Sequence, residues 1–502
     1  MKDKLTRGAI WLAATRILIN LIGFASTLLL ARLLVPADFG LVAIATTVAA
    51  IVASVTELSM GSALVQHDNP QRVHFDSAWT LNLVRSVLVS IAIAALAVPI
   101  THFYGDPRLM PLLLVIAGTG IVGGGINPKL IMFTRSLVFR QEFILGVSQK
   151  LLGFIVAVVA AYVWKSYWAL VAGVAAGQLL AVILSYALLP YRPHFSFAAG
   201  RELLTFSIWL LLGQIIQTLN YRFDTLFIGF FLGNGPLGYY TFGDNLAVLP
   251  TREATGPIAQ TLFPAFTQMR GNPARLRQAY MRAQMLLVVV ALPLGCGFAL
   301  VARPLVVALI GEKWQPAVII IQVLASVFAI QTLATTLPAL AMAMGETRTL
   351  FRRDLANLII RIPLMVAGLF FGGLVGIVFA RMISGLALIA VNMALARKLL
   401  DLPISAQIGL NHRSILAVAV MSVGLASIQY LMPSPASEWM RLVDLACLIA
   451  LGAVTYTGVL YCLWLGSGCP DGPESEVRSF IVAFKGRMLK SNNSGPKKSH
   501  DQ

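Results

Sequence analysis

RILINLIGFASTLLLARLLVPADFGLVAIATTVAAIVASV, residues 16–55, decides the fold. Two long apolar runs flank a short turn, VPADFG at 35–40, built on a proline, an acid and a glycine. A helix needs about 20 mostly apolar residues to cross the hydrocarbon core of a bilayer, and each run reaches that length. Working outward, the same pattern recurs along the whole chain. It predicts spans at 10–34, 41–65, 79–104, 109–132, 143–164, 167–189, 203–230, 237–262, 284–310, 317–344, 355–373, 375–396, 414–432 and 441–466. The break at 371–376 is the least marked of the gaps. The expected fold class is an all-α polytopic membrane protein with about 14 transmembrane helices.

Lysine and arginine accumulate in every second gap. Gaps on the N-terminal side, counted together with the adjoining parts of the spans, carry 26 of the 38 basic residues, among them Lys2, Lys4, Arg72, Lys129, Lys150, Arg192, Arg275, Arg352 and Arg397. The opposite gaps carry five, namely Arg32, Arg108, Lys165, Lys313 and Arg441. Basic loops are retained in the cytoplasm, so the asymmetry predicts a bacterial inner-membrane protein with both termini cytoplasmic.

Composition excludes several classes. The 502 residues are 58% hydrophobic and 12% charged, with a mean hydropathy of +0.80. Soluble domains run at about 45–50% apolar and about 25% charged. The net charge of +17 sits in loops facing anionic membrane lipids, which are expected partners; nucleic acid is not. The first apolar run has no A-x-A-like cleavage site and is interrupted by Arg16, so it reads as an uncleaved span. Cys296, Cys447, Cys462 and Cys469 show no zinc-like spacing, and no P-loop is present, so no metal, ATP or other cofactor is expected. No loop is long enough to hold a catalytic domain, which argues against an enzyme.

A short repeat links the two halves. RLLVPADFGLVA at 32–43 aligns with FFLGNGPLGYYT at 230–241, pairing Gly40 with Gly238 at an offset of 198. This divides the chain into an N-lobe at 1–190 (spans 1–6), a C-lobe at 191–397 (spans 7–12), two added spans at 398–466 and a cytoplasmic tail at 467–502. Within the tail, VRSFIVAFKGRMLK at 477–490 places Phe480, Ile481, Phe484 and Met488 on one face of a short basic helix suited to the inner leaflet. Pro250, Pro257 and Pro264 recur every seven residues in span 8 and predict a bent helix.

Ionisable residues inside a bilayer are costly, so each is a candidate functional group. Arg16, Arg85, Arg222, Arg252, Arg303, Arg361 and Arg381 face only Glu57, Asp224, Asp244 and Glu253 in this set. An excess of guanidinium favours an anionic cargo, held by paired hydrogen bonds to phosphate or carboxylate. The candidate substrate-binding residues are Arg16, Asn20, Arg85, Arg222, Asp224, Arg361 and Arg381; Glu57, Asp224 and Asp244 are candidates for ion coupling. Arg85, Glu57 and Arg361 also suit snorkelling or a loop-side ion pair, and Arg303 an interfacial place. Arg222 and Asp224 stand i, i+2 and cannot face each other, so at least one needs a partner on another helix; Arg381 is in reach of Asp224.

Several strings carry a resemblance: ARLLVPADFGLVAIA (31–45), ELSMGSALVQ (57–66), LGNGPLGYYTFGDNLAVLP (232–250), PAFTQMRGNPARLRQAYMR (264–282) and GEKWQPAVIIIQVLA (311–325). Together they resemble the polysaccharide transporter family, within the superfamily of multidrug, oligosaccharidyl-lipid and polysaccharide exporters. The resemblance implies two six-helix lobes in a V, plus two extra C-terminal helices. It implies translocation of undecaprenyl-pyrophosphate-linked oligosaccharide repeat units by alternating access, for exopolysaccharide, capsule or O-antigen (lipopolysaccharide) biosynthesis. A polysaccharide polymerase and a chain-length regulator are the further partners it implies. The chain departs from the family at Asn234-Gly235-Pro236 and in its basic tail. Two rival readings remain. One is a cation-coupled small-molecule exporter of the same fold. The other is a membrane glycan polymerase or ligase, which requires a sizeable outer loop that the sequence lacks.

Overall fold

Backbone amides and carbonyls find no water in hydrocarbon, so each crossing segment must satisfy them internally. The computed structural model describes residues 2–56, 64, 70–136, 140–200, 208–431, 437–470 and 472, and among these residues there is no strand. Glu57, nearly all of the 57–66 string and the 477–490 segment lie outside the described residues.

The main helices are α1 (Lys2–Leu33), α2 (Pro36–Val55), α3 (Arg72–Tyr104), α4 (Leu109–Gly124), α5 (Arg140–Trp164), α6 (Trp168–Leu188), α7 (Ile208–Leu232), α8 (Asn234–Met269), α9 (Pro273–Leu300), α10 (Pro316–Gln331), α11 (Thr347–Leu400), α12 (His412–Leu431) and α13 (Glu438–Gly466). Among the described residues, ten helical stretches are long and apolar enough to cross a bilayer. The chain is a multi-pass, all-helical membrane protein. α7 and α8 have 25 and 36 residues, but polar groups interrupt them: Gln214, Gln217, Asn220, Arg222 and Asp224 in the first, Asp244, Arg252 and Glu253 in the second. Pro250, Pro257 and Pro264 all lie inside α8.

Local chemistry sets the ends. Pro36 opens α2 and Pro273 opens α9, where a missing amide costs nothing. The Asn272 carboxamide caps α9 by accepting from the Arg275 amide at 3.1 Å. α11 spans 54 residues but leaves helical geometry at Gly372 and Gly373, inside the predicted break. Gly373 has φ +54° and ψ −130°, a conformation that a side chain would disfavour. The backbone turns back there, bringing Gly376 against Gly368.

The chain forms two compact units. One comprises Met1–Asn245, Leu305–Ile320 and Thr347–Ser384; the other Leu246–Pro304, Ile321–Glu346 and Gly385–Gln502. In the first, Trp314 is fully buried; its indole NH donates to the Ala31 carbonyl at 2.8 Å and its ring packs on Phe39, Tyr239 and Phe242. Beside it the starts of α2 and α8 cross at backbone contact. A Cβ on Gly40 would collide with the Asn234 carbonyl, and one on Gly238 with the Pro36 carbonyl. The contact is reciprocal: Asn234 is the repeat counterpart of Pro36, as Gly238 is of Gly40. In the second unit, Phe266, Tyr280, Leu337, Leu340, Leu400 and Leu402 form a core. There the buried Gln284 donates to the Leu333 carbonyl at 2.6 Å, and the Tyr456 hydroxyl to that of Val289 at 2.7 Å.

Candidate functional site

α7 and α8, whose apolar runs are interrupted, contribute to a cavity. It occupies about 630 Å³ within the first unit, between α1, α2, α5, α6, α7 and the start of α8. Polar groups are spread around its wall: Ser26, Thr27, Thr46, Gln149, Lys150, Gln178, Arg222, Asp224, Thr225, Asp244 and Asn245. Such residues would be unsatisfied against lipid, but a water-filled cavity solvates them. Arg222 and Lys150 are exposed on this wall, and neither has an ion-pair partner among the described residues.

Asp224 is the centre of a buried charge cluster behind the wall. Its Oδ2 accepts from the Arg361 guanidinium, lies 3.4 Å from Arg381 Nε, and accepts from the Tyr240 hydroxyl at 2.6 Å. Arg361 also donates to the Asn220 carbonyl at 2.6 Å. The ladder continues along the same faces of α7 and α11: the Asn357 amide donates to Asn220 Oδ1 at 3.0 Å, and Asn220 donates to the Asp354 carbonyl at 2.9 Å. Asn220 and Asp224 stand i, i+4 on one helix, as do Asn357 and Arg361 on the other, so each pair shares a face. The second oxygen of Asp224 and one oxygen of Asp244 are buried with no hydrogen-bond partner among the described residues.

The candidate residues sort into three groups. Arg222, Asp224 and Asp244 line the cavity, while Arg361 and Arg381 stand behind Asp224. Arg16 and Asn20 lie on α1; Arg16 continues the stripe of Ile19, Gly23 and Ser26, which line the cavity. Arg85 is set apart, with its Nε 3.4 Å from the Thr56 hydroxyl. Arg361 neither snorkels nor reaches a loop: it is 1% exposed and committed to Asp224 and Asn220. Lys150 was assigned to a cytoplasmic gap by charge counting, but it lies within α5 and faces the cavity. Its signal was the polar pair Gln149–Lys150 inside a predicted span.

Polar contacts tie the chain together where α1, α3 and α7 terminate. Lys313 Nζ donates to the Arg32 and Leu34 carbonyls at 2.7 and 2.9 Å, and Arg32 donates to the Leu309 carbonyl at 2.6 Å. Asn234 donates to Asp106 Oδ2 at 2.7 Å. The Arg108 guanidinium, hydrogen-bonded to both carboxylate oxygens, holds Asp106 below the usual carboxylate range. Burial lowers the Lys313 ammonium from its ordinary value. Three of the five cations counted in the sparse gaps are thus bound to fixed partners.

Comparison with known proteins fits this architecture. Lipopolysaccharide biosynthesis protein WzxC of Escherichia coli (strain K12) is 24% identical over 381 residues, covering 75% of this chain and 77% of its own length. Succinoglycan biosynthesis transport protein ExoT of Rhizobium meliloti (strain 1021) is 28% identical over 338 residues, covering 65% of this chain and 67% of its own. The solved structure of lipid II flippase MurJ, in an inward closed conformation, matches with a TM-score of 0.69 over 92% of this chain and 99% of that one; at 14% identity the likeness is one of fold. The family described as polysaccharide biosynthesis protein matches residues 29–319, more than half of the sequence, and the chain belongs to that family.

Proposed function

We propose that this protein is an inner-membrane flippase for polyprenyl-pyrophosphate-linked oligosaccharides, serving exopolysaccharide, capsule or O-antigen biosynthesis. The observation that carries the reading is the polar cavity itself, with Arg222 and Lys150 exposed on its wall. A pyrophosphate-linked sugar needs cations and hydrogen-bonding groups around its head and none around its tail. WzxC, ExoT and MurJ, by their names, serve lipopolysaccharide biosynthesis, succinoglycan biosynthesis transport and lipid II flipping, which supports the same assignment. Arg222 and Lys150 contact the head directly, and Arg16 extends the basic stripe along α1. Arg381, 17% exposed and at the looser distance from Asp224, is the member of the cluster able to join them. The two repeat-related lobes alternate access, with both termini cytoplasmic and the basic loops on anionic lipid. A polymerase and a chain-length regulator receive the product.

The direct test uses purified protein in vesicles with a fluorescent lipid-linked oligosaccharide, read by accessibility to a membrane-impermeant quencher. Each charged contact to phosphate contributes about 1.5–3 kcal/mol, so Arg222→Ala and Lys150→Ala each slow flipping roughly ten- to a hundred-fold while leaving folding intact. Wild-type rates in both variants would remove the cavity from the mechanism. Sidedness is read separately. A cysteine replacing Arg275 is modified by an impermeant thiol reagent only after the cells are opened; labelling in intact cells reverses the topology.

A further inference from the structure

The two exposed cations of the cavity each have an uncharged neighbour on the same wall: Gln149 beside Lys150 on α5, and Tyr221 beside Arg222 on α7. Helical register brings them there. Gly146, Gln149, Lys150 and Gly153 recur at spacings of three and four along α5, as Thr241, Asp244 and Asn245 do along α8. Where α5 meets α6 the helices touch through backbone. A Cβ on Gly173 would lie 2.6 Å from the Gly153 carbonyl oxygen, and one on Gly177 would lie 2.9 Å from that of Gln149. Gly153, Gly173 and Gly177 all line the cavity, and they leave space on this side that larger residues would fill.

The uncharged groups are not engaged elsewhere. Among the described residues, neither the Gln149 nor the Asn245 carboxamide forms a hydrogen bond. Tyr221 is 71% exposed, so its ring stands in a polar chamber without an apolar cover. An aromatic face gains by meeting C–H groups. A carboxamide, with donors on its nitrogen and an acceptor on its oxygen, gains by meeting hydroxyls that both donate and accept. A pyranose offers the two together, C–H bonds on its faces and hydroxyls around its rim. Charge then narrows the choice of sugar. Asp224 and Asp244 are already opposed by Arg361 and Arg381, which leaves Lys150 and Arg222 for the diphosphate. Arg16, a turn before Ile19 on α1, is not among the lining residues. A carboxylate on the sugar would find no further cation on this wall, and an unpaired charge there is costly.

We propose that Gln149, Tyr221 and Asn245 form a subsite for the sugar joined directly to the diphosphate, and that this sugar is an uncharged hexopyranose. The inference rests on the flippase reading above. Tyr221 stacks on one face of the ring while the two carboxamides, on α5 and α8, take its hydroxyls. Each neighbouring cation holds the phosphates. A site built to hydrogen-bond hydroxyls discriminates against a ligand that lacks them, because its polar groups are then left unpaired.

The test uses the full chain in lipid nanodiscs and three ligands of equal chain length: polyprenyl diphosphate, the same lipid carrying one glucose, and the same lipid carrying one glucuronate. Dissociation constants are read by titration calorimetry. The glucosyl lipid binds about tenfold tighter than the bare diphosphate, and the glucuronosyl lipid binds no tighter than the bare one. Gln149→Ala, Asn245→Ala and Tyr221→Leu each weaken glucosyl-lipid binding by about threefold or more and spare the bare diphosphate, whereas Tyr221→Phe, which keeps the ring, keeps most of the preference. Thermal denaturation follows folding, and the preference of the unmodified protein stands as a measurement that no variant can spoil. Equal affinity of the unmodified protein for glucosyl and bare lipid overturns the proposal. Glucuronosyl binding as tight as glucosyl overturns the assignment of an uncharged sugar. Variants that lose all three ligands alike show a structural effect and overturn the subsite. Failure of the flippase reading looks different: the unmodified protein then binds none of the three lipids, the bare diphosphate included.

Discussion

Removing the Asp224 carboxylate tests the buried charge cluster most severely. Its Oδ2 serves Arg361, Arg381 and Tyr240 together, and Arg361 is 1% exposed. At the 3.4 Å separation of Arg381, with an effective dielectric constant of about 20, the attraction is about 5 kcal/mol; Arg361 adds a contribution of the same order. Desolvation of three charges offsets most of that. The net cost of stripping one partner from a buried pair is about 3–5 kcal/mol, because the remaining charge is stranded. Asp224→Ala strands two guanidiniums and belongs at the upper end. The assay is the thermal midpoint in detergent, followed by size-exclusion, for Asp224→Ala, Arg361→Met and the double variant. At roughly 2 °C per kcal/mol for a large chain, Asp224→Ala lowers the midpoint by about 6–10 °C. The double variant recovers a good part of this, because residues in contact couple by about 0.5–3 kcal/mol. Two results would refute the reasoning: a neutral Asp224→Ala, or a double variant whose loss equals the sum of the single losses.

The reciprocal glycine crossing gives a further prediction. Gly40→Ala and Gly238→Ala each drive a methyl group into backbone, which cannot give way as a side chain can, so each costs upwards of about 1–3 kcal/mol and cuts the yield of folded protein; Gly118→Ala in α4, facing open space, leaves it unchanged. Membrane yield by fluorescence size-exclusion decides it. An imposed inside-negative potential alone accelerates outward flipping in vesicles; acceleration only by a proton or sodium gradient refutes that account.

Much of the fold was legible because a bilayer imposes one rule on every segment: twenty or so apolar residues, closed on themselves as helix. Even the faint break near 371–376 declared itself through Gly372 and Gly373, the two places where α11 leaves helical geometry. The site was legible by halves. That Asp224 needs a partner on another helix followed from its i, i+2 spacing from Arg222, and Arg381 is there. Arg361 as the closer partner was missed, since depth in the membrane was judged from hydropathy alone. The matched spacing of Asn220 with Asp224, and of Asn357 with Arg361, was the available signal, and it becomes decisive only once the two helices are known to face each other. Lys150 was missed for the converse reason. It lies inside the predicted span 143–164 and eleven residues into α5, yet its charge was counted with the neighbouring loop, so its place on a cavity wall went unread.

The placement of these charges bears on what drives transport. Lys150, Arg222, Arg361 and Arg381 stand against Asp224 and Asp244, so with all ionised the cavity wall and its backing carry two positive charges in excess. A pyrophosphate-linked head brings about two negative charges, and the loaded cavity is near neutrality. Neutrality inside a low-dielectric wall favours occupancy, because neither partner is then left as an isolated charge. The cations are fixed to helices, however, and the cargo is not. If those helices shift little in depth as the cavity changes sides, the head carries its charge across almost alone. An inside-negative potential then favours outward movement by roughly 2.3 kcal/mol per charge per 100 mV, or about 4–5 kcal/mol for the head. Coupling through Asp224 would require freeing it from two guanidiniums in every cycle, at a cost of the same size as that gain. Asp244, with one buried oxygen lacking a partner among the described residues, is under no such constraint. Of the two described carboxylates, Asp244 is therefore the one suited to a cation-coupled step, if the vesicle experiment demands one, while Asp224 is engaged with Arg361 and Arg381.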